Sequence, residues 1–177
     1  MIQVRRGVFE TNSSSTHSVS ISSKNSYYYH PSHLNMFIDD CDNKVHVKFG
    51  EFGWEIASYV TPYDKLQYIV TMLVETEGNN ITNIDDLFET DGFKAINDAV
   101  ADYCDCDGIC IDEEMCLNHY KWGDSIHYYV SHDGYIDHQS CEDYKSIQDF
   151  LDDYCVESVT QFIFDNGVVV HTDNDNH

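Results

Sequence analysis

Basic residues are scarce in this chain for its size. Nine Lys and Arg stand against 32 Asp and Glu in 177 residues, a formal net charge of −23. Such a field repels nucleic acid and anionic membrane and speeds encounter with basic surfaces, so direct nucleic-acid or membrane binding is not expected. Proline is also scarce, at two residues, and no linker rich in Pro or Gly interrupts the chain. A hinged two-domain layout is therefore not predicted. No apolar run approaches the ~18 residues of a membrane-spanning helix. The N-terminus, MIQVRRGVFE, has no apolar h-region, so no secretory signal is expected. The seven cysteines are then expected to be reduced thiols in a cytoplasm.

What is present is a core. Hydrophobic residues make up 42% of the chain and aromatics 14%, more than a disordered acidic polymer carries. The length suits one domain, residues 1–177, with a tail over about 172–177 expected to fray. Charge is unevenly spread. Residues 1–48 hold five bases and four acids and are near neutral, whereas residues 49–177 hold four bases and 28 acids.

Periodicity predicts an α+β domain: a mainly antiparallel sheet of about six or seven strands with about three packed helices. Residues 2–9, 17–22, 44–49 and 108–113 read as strands. Thr61 before Pro62, with Leu66, Ile69, Val70 and Leu73 at helical spacing, predicts a helix over 62–75. Shorter helical patterns cover 84–89, 93–104 and 146–154. Asp133-Gly134 predicts a hairpin joining 125–130 to 135–138, and Asn166-Gly167 predicts another joining 161–165 to 168–171.

Residues 98–114, DAVADYCDCDGICIDEE, hold seven carboxylates and no base. Apolar positions threaded among them mark folded structure, and a folded chain that concentrates like charge repels itself. Carboxylates along helices and loop tips can copy the phosphate spacing of nucleic acid, about one charge per 3.4 Å of each strand. Asp98, Asp102, Asp105, Asp107, Asp112, Glu113, Glu114, Asp149, Asp152 and Asp153 are the predicted contacts to a basic partner. Tyr103, Tyr120, Trp122, Tyr144 and Tyr154, lying among the acids, are candidate interface anchors. The bland reading of the same acids is a solvated face that confers solubility.

Three other strings carry chemistry-bearing residues. The loop ETNSSSTHS at 10–18 offers hydroxyls and backbone N–H groups that could cradle a phosphate, with Arg5 and Arg6 upstream. An alternative site therefore comprises Asn12, Ser13, Ser14, Ser15 and His17, with Asp137 and His138 converging on it; the bland reading is a loop whose hydroxyls satisfy its own backbone. Cys104, Cys106, Cys110 and Cys116, with His119, look like a zinc knot, but C-x-C-x₃-C departs from the usual paired C-x₂₋₄-C spacing. No metal and no cofactor are expected.

The strings VFETNSSSTHS at 8–18, FGWE at 52–55, IDHQS at 136–140, FIF at 162–164 and DNDN at 173–176 together resemble a family of small phage and prophage proteins. The resemblance covers most of the chain and implies a phage-encoded protein working in the cytoplasm of a bacterial host; it carries no catalytic residues to transfer. With the acidity, it leads to the expectation of a non-enzymatic inhibitor of a basic host nucleic-acid-binding defence protein. A CRISPR effector nuclease is the first candidate, because such effectors hold their heteroduplex in a positively charged channel. The alternative is a small phosphate- or nucleotide-binding protein or hydrolase built around the 10–18 loop.

Overall fold

The computed structural model describes residues 19–20, 36–53, 56–137, 144 and 146–172. Among them are ten strands, β1 (Val19–Ser20), β2 (Ile38–Asp39), β3 (Lys44–Val47), β4 (Glu51–Phe52), β5 (Ala57–Tyr59), β6 (Ile109–Ile111), β7 (Cys116–Trp122), β8 (Ser125–Ser131), β9 (Tyr135–Ile136) and β10 (Val168–Thr172). Five helices accompany them: α1 (Pro62–Glu77), α2 (Asp85–Phe88), α3 (Asp91–Cys104), α4 (Ile147–Asp153) and α5 (Val159–Phe164). The class is α+β, as expected. The single sheet of six or seven strands is not found among the described residues: the strands form four small sheets, ordered β1-β10-β5, β2-β3-β6, β4-β9 and β7-β8. The predicted strand over 2–9, most of the one over 17–22 and the 10–18 loop lie outside the described residues.

Helix α1 is the centre of the core. Thr61 caps it by accepting a hydrogen bond from the Asp64 N–H, and Pro62 occupies the first turn, where its missing N–H costs nothing. From Lys65 through Val74 its residues are buried except Gln67, so the helix is enclosed around nearly its whole circumference. It touches α3, α5, β3, β8 and β9. A second nucleus is aromatic. Phe150 packs against Tyr68, Tyr144, Tyr154 and Phe162, several of the rings meeting edge to face.

Two predicted hairpins are not formed. The Gln161–Asp165 stretch is helical: Ser158 caps α5 by accepting from the Gln161 N–H at 3.1 Å, and Val159, Phe162 and Ile163 recur at helical spacing on its buried face. Phe164 stacks on Tyr103 of α3 with ring centroids 3.7 Å apart. Asn166-Gly167 then links a helix to a strand, with the Gly167 N–H bonded to the Asp165 carboxylate. Likewise Tyr135 and Ile136 do not fold back on β8. They run parallel to Glu51 and Phe52, and Gly134 serves close approach: a Cβ there would lie 2.4 Å from Phe49 Cβ and 2.7 Å from the Gly50 oxygen. The true partner of β8 is β7, across Gly123-Asp124, with Trp122 opposite Ser125.

Strands β3 and β6 are parallel, Val45 opposite Ile109 and His46 opposite Cys110. A parallel pair needs a long crossover, which α1, α2 and α3 supply. Val45 and Val47 face the core from β3, leaving His46 and Cys110 on the outer face.

Candidate functional site, an acidic edge where two turns meet

Two sharp turns bring the acids together. The first joins β2 to β3. The Asp39 carboxylate accepts from the Cys41 N–H at 2.7 Å, Asp42 accepts from the Lys44 N–H, and Asn43 takes φ 55°, a left-handed conformation that Asn tolerates. The second ends α3. Asp105 adopts φ 54° as the C-cap, its N–H and that of Cys106 both closing on the Ala101 carbonyl. Gly108 follows at φ +99°, lying so close to Asn97 that a Cβ would overlap its amide, and Asn97 Oδ1 accepts from the Ile109 N–H. The Asp107 N–H donates to the Asn43 carbonyl at 2.7 Å and that of Val45 to Gly108 at 2.9 Å, so the turns lie against each other.

The result is an edge that presents Asp40, Asp42, Asp105, Asp107 and Asp112 as exposed carboxylates, with Asp39 half-buried beside them. Asp98 and Asp102 continue it up the exposed side of α3, one turn apart. Between described residues, Lys94–Glu89 is the one ion pair of a lysine or arginine with a carboxylate, and it lies at the other end of α3. Asp39, Asp40 and Asp42 were missed by sequence reasoning, which set them in the near-neutral segment 1–48; only the contact between turns reveals them.

His46 sits inside this edge. Its ring nitrogens face two carboxylates, Nδ1 toward Asp112 Oδ1 at 2.5 Å and Nε2 toward both Asp42 oxygens at 3.2 Å. The hydrogen bond with Asp112, then that with Asp42, holds the imidazole pKa above its ordinary value. Asp39 is lowered, chiefly by hydrogen bonding from Cys41. Cys110 lies across from His46 on β6. Asp42, His46 and Cys110 are the one set of three or more His, Cys, Asp or Glu side chains among the described residues whose donor atoms converge, all within 4.8 Å of one another.

The other predicted contacts divide by role. Glu113 is half-buried and accepts from the Phe49 N–H at 2.7 Å, pinning the strand after β3. Asp153 is half-buried and accepts from the Tyr144 hydroxyl at 3.0 Å. Asp152 is exposed and accepts from Gln148, one turn back on α4; Asp149 and Glu114 are exposed. Of the five candidate anchors, Tyr144 and Tyr154 are buried in the core and Tyr103 is stacked on Phe164, so these three do not present a binding surface. Tyr120 and Trp122 do. They share one face of the β7–β8 ribbon with His127 and Tyr129, and Trp122 is 75% exposed. Tyr120 stacks on His127, with centroids 5.3 Å apart.

The alternative phosphate site is met at one residue. Asp137 closes β9, its N–H bonded to the Phe52 carbonyl, while Asn12, Ser13, Ser14, Ser15, His17 and His138 lie outside the described residues. The zinc knot is not assembled among the described residues. Cys104 is buried, with its thiol pKa pushed up to about 11 by burial, Cys106 lies against the Val100 and Gly108 carbonyls, and Cys116 is exposed on β7. No described helix is long and apolar enough to cross a membrane. No family model matches the chain, and comparison with curated proteins and with solved structures finds no match.

Proposed function

We infer that the protein is a non-enzymatic acidic binding module that occupies the basic nucleic-acid groove of a protein partner. The observation that carries this reading is the junction of the two turns. It projects Asp40, Asp42, Asp105, Asp107 and Asp112 from one edge, and Asp98 and Asp102 from the adjoining helix, with little basic charge of the protein's own to neutralise them. Fixed carboxylates on capped turns lose little freedom on binding, and like charges gathered on folded structure gain most when a cationic surface covers them. The exposed ribbon face with Trp122 and Tyr120 supplies the kind of aromatic anchor that interfaces use.

The resemblance to phage and prophage proteins supports a bacterial cytoplasm as the setting and a host defence protein as the partner, with a CRISPR effector nuclease first. Effectors of that kind offer a long positively charged channel, and an acidic edge competes there with nucleic acid for the same arginines and lysines. Salt-stepped affinity capture from nuclease-treated bacterial lysate tests the reading. A nucleic-acid-binding protein retained at low salt, eluted as salt rises and displaced by added DNA is the expected result. Retention that DNA does not displace contradicts it.

A further inference from the structure

We propose that Asp42, His46 and Cys110 form a binding site for a single divalent transition-metal ion, zinc in the first place, with Asp112 as the residue that orients the histidine. The donor set is one carboxylate, one imidazole and one thiol, a mixture that suits zinc and related borderline cations rather than calcium or magnesium, which take oxygen alone. Three protein donors leave a fourth tetrahedral position for water or a partner's side chain.

The geometry is close to what such an ion needs. Donors held about 2.0–2.3 Å from a tetrahedral zinc lie roughly 3.3–3.6 Å from one another. His46 Nε2 already stands 3.2 Å from both Asp42 oxygens. The donor atoms of Asp42, His46 and Cys110 all lie within 4.8 Å of one another, so an ion would draw them together by about an ångström. Two of the three ligands are directly paired residues of adjacent parallel strands, whose other faces bury Val45 and Val47 of β3 and half-bury Ile109 and Ile111 of β6 against the core. Asp42 comes from the turn preceding β3, which is itself held by the Asp107–Asn43 and Asp39–Cys41 hydrogen bonds.

Asp112 supplies the feature that a plain acidic surface lacks. Its carboxylate takes the hydrogen bond of His46 Nδ1, which makes Nε2, the nitrogen facing Asp42, the one that gives up its proton to coordinate an ion. Metal-ligating histidines are oriented in this way by a carboxylate on the other ring nitrogen. On binding, the cation would displace the proton of Nε2 and the thiol proton of Cys110, and both would leave to solvent.

Titration of the reduced, full-length protein with Co²⁺ reads the site directly, because a bound thiolate gives a charge-transfer band. One equivalent of Co²⁺, displaced by Zn²⁺, is expected to produce that band. Cys110→Ser should remove it while leaving the far-ultraviolet circular dichroism intact. His46→Gln should abolish stoichiometric binding, and Asp112→Asn should weaken it about 10–100-fold. Cys41→Ser, Cys116→Ser and Cys141→Ser, which change thiols outside the proposed set, should keep the band. A band that survives Cys110→Ser, or no thiolate band with the folded wild type, overturns the proposal.

Discussion

Lys65 on α1 reaches the carbonyl of Asp165 at the end of α5, Nζ to oxygen 2.7 Å, and contacts the Val168 carbonyl at 3.3 Å. The lysine is 0% exposed. It donates to the carbonyl that caps the C-terminus of α5, where the backbone dipole favours a cation, and to one at the start of β10, and so ties α1, α5 and β10 together. Lys65→Ala should destabilise the protein by about 3 kcal/mol in urea unfolding, because it leaves a cavity and removes two hydrogen bonds to carbonyls.

The same lysine gives a pH signature. Burial lowers its pKa from 10.5 to about 8, against a smaller opposing effect of Asp165. Between those values the unfolded chain binds more protons than the folded one, so this group makes stability rise with pH through the window. Wild type should gain on Lys65→Met between about pH 8 and pH 10 in paired urea melts.

Glu75 behaves in the opposite sense. Its Oε1 accepts from the Ile136 N–H at 3.0 Å, and burial raises its pKa from 4.5 to about 7. The folded state then holds the extra proton, so the contribution of Glu75 is greatest below pH 4.5 and falls as pH rises through about 7. Glu75→Gln keeps the acceptor and should be more stable than wild type by about 1 kcal/mol at roughly pH 8, with the advantage gone near pH 4.

Helix α5 rests on one hydroxyl. Ser158→Ala removes the acceptor of the Gln161 N–H and should cost about 1 kcal/mol, while Ser158→Gly costs only a few tenths. A hairpin strand in the same place would show no such ranking.

How much was legible in the chain follows the range of the interactions. Helices α1, α3 and α4 are marked by local signals: Thr61, Thr90 and Ser146 cap them, and each apolar stripe repeats at helical spacing. Strands β3 and β6 carry their alternation in themselves. Helix α5 was misread because Asn166-Gly167 dominates its neighbourhood, although Ser158, Val159, Phe162 and Ile163 hold the helical pattern. The β7–β8 ribbon had a readable signal in Gly123-Asp124 between two alternating runs. The pairing of β4 with β9 and of β3 with β6 had none, since each is parallel and closes over a long stretch of chain. The site divides in the same way. The acids of 98–114 are a visible run, whereas Asp39, Asp40, Asp42 and His46 join them only through contacts between turns distant in sequence.

The acidic edge is tested most directly by reversing its charge at exposed side chains. Asp98, Asp102, Asp105 and Asp107 are exposed, so replacing all four with lysine changes the net charge by eight while leaving the buried core alone. The control reverses Asp85, Asp86 and Glu89, exposed acids on and just after α2. Binding to the captured nucleic-acid-binding partner should be lost in the first variant, by 100-fold or more on the order expected for several desolvated charge pairs, and nearly kept in the second. Equal binding by wild type and the folded Asp98/Asp102/Asp105/Asp107 variant would contradict the account.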